Sequence, residues 1–89
     1  MVILAFNSIN VSVGTTATPI TTTPTLARMI IIQNNSNVDV YLGGASLQNI
    51  KISANGGVIS ITMPKDAKVD LSTLYLVASA STTVAVMYA

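Results

Sequence analysis

The chain has no cysteine, histidine or tryptophan, its three acidic residues are all aspartate, and only 8% of its 89 residues are charged. An ordinary soluble domain carries roughly a quarter of its residues as Asp, Glu, Lys or Arg. Each absence removes a class of chemistry. Without histidine and cysteine there is no ordinary catalytic triad, no thiol nucleophile and no imidazole- or thiolate-bound metal. Without cysteine there is also no disulfide framework. A formal net charge of +1 provides no electrostatic footprint for nucleic acid or for an anionic membrane surface. No apolar run exceeds six residues, against the ~20 that a helix needs to cross a bilayer. The amino terminus lacks the basic stretch of a secretory signal. On this inventory the chain is expected not to be an enzyme and to need no cofactor.

What the chain does have is apolar and β-branched. Hydrophobic residues make up 51% of it, and Val, Ile and Thr together account for 31 of 89 positions. Such side chains are stiff at χ1 and pack well on a pleated surface, so they favour strands. Helix-start signals are nearly absent; the one candidate is a single turn at Pro64-Lys65-Asp66-Ala67-Lys68, with proline in first position. Alternation of period two runs through Ile9/Val11/Val13, Val38/Val40/Leu42, Ile50/Ile52 and Ile59/Ile61/Met63. Turn chemistry separates these runs. Asn34-Asn35-Ser36-Asn37 suits a tight reversal, Asn55-Gly56-Gly57 is a hairpin signal, Gly43-Gly44 ends a strand, and residues 79–83 turn between the last two strands. Short strands without room for crossover helices predict one all-β domain over residues 1–89, an antiparallel β-sandwich of jelly-roll type. The Thr-rich stretch 15–25, with Pro19 and Pro24, is expected as an edge strand or loop because proline cannot donate to a ladder.

Several strands fail to alternate. Val2-Ile3-Leu4-Ala5-Phe6, Met29-Ile30-Ile31-Ile32, Leu74-Tyr75-Leu76-Val77-Ala78 and the closing Val84 to Ala89 are apolar on both faces. A two-layer antiparallel fold normally gives each strand one buried and one wet face. A chain this short buries only about 60% of its unfolded surface, so the expected cover for the outer faces is another copy or a larger partner. Segment 1–6 is then an inter-subunit strand. Val2, Leu4 and Phe6, with Met87 of the last strand, are interface candidates. Arg28, directly before the Met29 run, is a fifth: it is either a bidentate anchor for a partner carboxylate or a guard on an exposed strand edge.

Other constellations carry less. Asp66 and Asp70 with Lys65 and Lys68 read as a solvated charged turn. Three aspartates without alternating acidic ligands do not make a calcium loop, so no metal is expected. Tyr41, Tyr75 and Tyr88 are scattered and form no stacking platform for single strands. Tyr41 beside Asp39 is the nearest approach to a sugar-binding pair.

Taken in order, Val11 to Ile20, Ala27-Arg28-Met29-Ile30-Ile31-Ile32-Gln33-Asn34-Asn35-Ser36, Val38-Asp39-Val40-Tyr41-Leu42-Gly43-Gly44 and Leu74-Tyr75-Leu76-Val77-Ala78 resemble a group of small β-sandwich virion proteins of tailed bacteriophages. Its members are capsid decoration (cement) proteins, head-fibre bases and related structural modules. The resemblance spans Val11 to Met87 and brings no catalytic residue. It implies a hairpin from Arg28 through the Asn-rich turn to the Gly-Gly exit. It also implies a homotrimer on the outer surface of the capsid, bound to the major capsid protein, with Val2 to Phe6 or the final strand engaging neighbours. A tail, collar or fibre-base module is the alternative within the same class. A small carbohydrate-binding module is the alternative outside it.

Overall fold

The computed structural model describes residues 5–89. Ten strands follow one another: β1 (Asn7–Val13), β2 (Thr18–Pro19), β3 (Leu26–Ala27), β4 (Met29–Asn34), β5 (Val40–Gly43), β6 (Gln48–Ile52), β7 (Gly57–Thr62), β8 (Val69–Asp70), β9 (Tyr75–Ala78) and β10 (Thr82–Tyr88). A 3-10 turn at Leu71–Thr73 separates β8 from β9. Every strand pairing is antiparallel. One sheet has the order β1-β10-β4-β7, the other β2-β9-β5-β6, and β3 with β8 forms a two-stranded ribbon.

The pairings are nested. β5 pairs with β6, β4 with β7, β3 with β8, β2 with β9 and β1 with β10. The chain is therefore one long hairpin folded over on itself, and the pairings β10·β4 and β5·β9 knit its turns into two sheets. Between the sheets lies a single core. Val11, Val13, Ile30, Ile32, Val84 and Val86 enter it from one side; Val40, Leu42, Ile52, Leu76 and Ala78 enter from the other. The period-two pattern sets this directly: along β4, Ile30, Ile32 and Asn34 are buried while Met29, Ile31 and Gln33 are half-buried. Each fully buried Val, Leu or Ile contributes about 1.5–3 kcal/mol relative to exposure. These residues hold the sandwich together.

Three local expectations need correction. Asn55 (φ 63°) and Gly56 (φ 106°) do form the turn after β6, but β6 and β7 lie in different sheets. The turn is a corner between layers rather than a hairpin. The same holds for Asn34 to Asn37: β4 and β5 belong to opposite sheets, so the expected hairpin from Arg28 to Gly43 does not exist. The hairpin that does form joins β5 to β6 through Gly43-Gly44. There the register shifts after Leu42, and a Cβ at Gly43 would collide with the Leu47 carbonyl and approach Gln48 Cα within 2.6 Å. Third, Pro64 to Lys68 makes no helical turn. The Ala67 N–H donates to the Pro64 carbonyl at 3.0 Å and Asp66 takes φ 66°, the geometry of a β-turn with a left-handed third residue. The helical turn sits instead at Leu71–Thr73, where the Asp70 carboxylate caps it by accepting from the Ser72 N–H.

The Thr-rich stretch supplies β2, the edge strand of the second sheet, with Pro19 opposite Tyr75. Ile20 is buried, and its N–H donates to the Leu74 carbonyl at 2.9 Å.

Candidate interaction surface

The outer face of the first sheet follows from register. Ser8, Met87, Ile31 and Ser60 form one cross-strand row; Asn10, Ala85, Gln33 and Val58 form the next; Met29 stands opposite Thr62. Met87 is 38% exposed and Val58 56%, while Ile31 is half-buried. The outward face of the central strands thus carries Met87, Ala85, Ile31 and Met29 with Gln33 among them, and small polar groups lie at its margin. Ala85 is short between Asn10 and Gln33, and a depression of about 330 Å³ opens there, walled by Ile31 and Met87. A second, of about 410 Å³, lies at the far end of β1 and β10, beside Ser12, Gly14 and Thr83. Neither depression is lined by a charged residue.

The charges are partitioned in the fold. Arg28, Asp39, Lys51, Lys65, Asp66, Lys68 and Asp70 all fall between residues 28 and 70. The strands β1, β2, β9 and β10, which form one flank of the sandwich, hold none of them. Sheet edges in free monomers are normally guarded by charge, proline or bulges. On this flank Pro19 guards β2, while β1 reads Asn-Ser-Ile-Asn-Val-Ser-Val with no guard.

Among the interface candidates, Val2 and Leu4 lie outside the described residues. Phe6 precedes β1 and is 49% exposed. Met87 faces outward from β10, and its cross-strand partner on β1 is Ser8, two residues after Phe6. Phe6 and Met87 therefore belong to one side of the molecule. Arg28 corrects one expectation. It leads into β4, an interior strand of the sheet, and its main chain is used on both sides: its N–H donates to the Ala89 carbonyl and its carbonyl accepts from the Met63 N–H, each at 2.7 Å. It guards no edge. Its Nε is buried and finds no acceptor among the described residues, a condition worth about 1–3 kcal/mol when relieved.

The aspartates have structural employment. Asp39 accepts from the Ala54 N–H at 2.8 Å and faces Lys51 at 3.4 Å. The Ala54 bond, with Lys51 beside it, holds its carboxyl below the usual range. Asp70 accepts from the Ser72 N–H (3.0 Å), the Ser72 hydroxyl (2.8 Å) and the Thr25 N–H (3.1 Å), which lower its pKa in the same way. Asp39 therefore spends its acceptors on the fold beside Tyr41, which stands between Lys51 and Val77. Among the described residues no group of three or more acidic or metal-ligating side chains could hold a metal ion.

Asn34 carries a role that the sequence reading missed. It is fully buried, and its Nδ2 donates to the carbonyls of Val38 (2.7 Å) and Ile52 (3.0 Å). Its Oδ1 accepts from the Ser36 N–H (3.1 Å) and hydroxyl (2.6 Å). The side chain ends a strand of one sheet and binds the main chain of the other, so it joins the layers at their corner. Its neighbours in sequence are polar turn formers, and only its even spacing from Ile30 and Ile32 signals an inward direction.

These features define an antiparallel, two-sheet all-β protein whose distinctive surface is an uncharged flank beside an outer face bearing exposed apolar residues. No family model, no curated protein and no solved structure matches the chain.

Proposed function

We propose that the chain is a structural protein of a bacteriophage virion: a capsid decoration (cement) protein on the outer surface of the head, self-associating and bridging neighbouring major capsid subunits. The observation that supports this best is the run of outward apolar residues across β10, β4 and β7, with Met87 and Val58 exposed and Ile31 between them, in a sheet whose β1 and β10 side carries no charge. A small domain has a stability margin of only ~5–15 kcal/mol. Covering about 400 Å² of such surface contributes ~10 kcal/mol by transfer before association costs. The sequence resemblance supplies the virion setting. We read the nested winding of strands as a jelly roll, the architecture in which a long hairpin rolls into two four-stranded sheets.

The mechanism is mechanical. Apolar burial and main-chain pairing across subunits tie neighbours together and resist outward pressure on the shell. Arg28, directly before the Met29 run, is proposed as the anchor for a partner carboxylate. The homotrimer rests on the resemblance alone.

The test is shell strength. Virions lacking the chain should release their DNA at lower temperature, and purified protein added back should restore the threshold. The Met87→Asp variant should not restore it. Unchanged heads, with loss of tails or collars instead, would move the chain to the tail.

A further inference from the structure

We propose that two copies of the chain pair edge to edge through β1 about a two-fold axis, making one eight-stranded sheet from two β1-β10-β4-β7 sheets. The hydrogen-bond parity supports it. Met29 and Ala89 exchange both main-chain bonds, at 3.3 and 3.1 Å, and bonded and non-bonded pairs alternate along an antiparallel ladder. Continuing that alternation, β10 turns residues 85 and 87 toward β4, and Val84, Val86 and Tyr88 toward β1. Their partners Val11, Ile9 and Asn7 use their main-chain groups inward. Ser8, Asn10 and Ser12 are left with N–H and C=O directed at the free edge.

That edge is complementary to itself. An antiparallel copy centred on Asn10 sets Asn10 opposite Asn10 and Ser8 opposite Ser12, and each facing pair exchanges two bonds. A two-fold axis brings like residues together, so any charge near it would meet its own sign. No charged residue occurs before Arg28 or after Asp70, and the flank built from β1, β2, β9 and β10 therefore carries no such repulsion. Among the described residues, small side chains at Ser8, Asn10 and Ser12 leave this edge open to a second strand. The opposite edge, β7, is also free of charge and proline. It lies beside β6, however, where Lys51 is 53% exposed, and it runs into the Lys65-Asp66-Ala67-Lys68 turn. A two-fold there would gather the lysines of both copies along one seam. The pairing at β1 is a property of the fold, so it stands whether or not the chain sits on a viral shell.

The absence of native cysteine makes the test clean. Facing residues in a bonded antiparallel pair have Cα atoms about 5.5 Å apart, within the span of a disulfide. Under mild oxidant, Asn10→Cys should give a covalent dimer and Ser60→Cys should not. A mixture of Ser8→Cys and Ser12→Cys chains should form the mixed dimer, with neither variant linking to itself, which reads the register without relying on position 10. In sedimentation, the unsubstituted chain should show twice the mass of one chain, and Asn10→Lys should sediment as a folded monomer. A monomer at every concentration of the unsubstituted chain overturns the proposal. So does cross-linking through Ser60→Cys in place of Asn10→Cys, or an Asn10→Lys variant that remains dimeric.

Discussion

Removing the Asn34 side chain tests the corner that joins the two sheets. In Asn34→Ala the Val38 carbonyl keeps a donor, because the Ser36 hydroxyl lies 3.0 Å from it. The Ile52 carbonyl and the Ser36 N–H lose the partners they had at 3.0 and 3.1 Å. A buried carbonyl and a part-buried N–H left unpaired, at ~1–2 kcal/mol each, sum to about 3 kcal/mol. For a domain of this size that is a fall in Tm of roughly 12–24 °C. The assay is thermal and urea unfolding followed by far-ultraviolet circular dichroism, with Ser36→Ala as a companion. Because Ser36 and Asn34 share bonds, their double variant should lose less than the sum of the single losses. A loss below about 1 kcal/mol for Asn34→Ala would show that water or a shifted backbone satisfies both groups. The corner would then not depend on this side chain.

Three further outcomes are expected. Gly56→Val should destabilise the chain by about 2 kcal/mol in urea unfolding, because a β-branched residue is strained at φ 106° even though open space surrounds the position; an unchanged midpoint would refute the corner geometry. Met87→Asp should leave the fold and Tm nearly intact, since the side chain faces outward, but should abolish attachment to the shell; unfolding of the isolated variant would mean that this face belongs to the monomer's own stability. Asp39 and Asp70 both have folded-state pKa values lowered below 3.8, so each contributes stability that is complete above that value and is lost as pH falls through the lowered one. Tm should therefore drop below about pH 4, and Asp39→Asn with Asp70→Asn should flatten the drop; an equally steep profile in the double variant would assign it elsewhere.

Much of the architecture is legible in the chain because alternation is a local signal. Ile9/Val11/Val13, Val40/Leu42 and Ile30/Ile32 point inward as their spacing requires. Sheet membership is not local. Asn55-Gly56 and Asn34 to Asn37 have the residues a reversal needs, yet the same positive φ or side-chain-capped backbone serves a corner between layers as well as a hairpin within one. What decides is the burial of Ile52 and Val40 in opposition to Ile32, a tertiary fact. Asp66 illustrates the same limit: proline at the head of a short charged run fits a helical first turn, but an aspartate tolerates the left-handed region and the run closes as a β-turn. For the interaction surface, exposed Phe6 and Met87 were readable as apolar residues without a core to enter. Ser8, Asn10 and Ser12 were not, since their proposed role lies in main-chain groups whose direction depends on how β10 pairs with its neighbours.

The central claim is that this chain is a repeated structural part of a viral shell, and its copy number tests that most directly. Quantitative mass spectrometry of purified virions against the major capsid protein should give a ratio near one, or a simple fraction of it. A handful of copies per particle, or none, would contradict the claim.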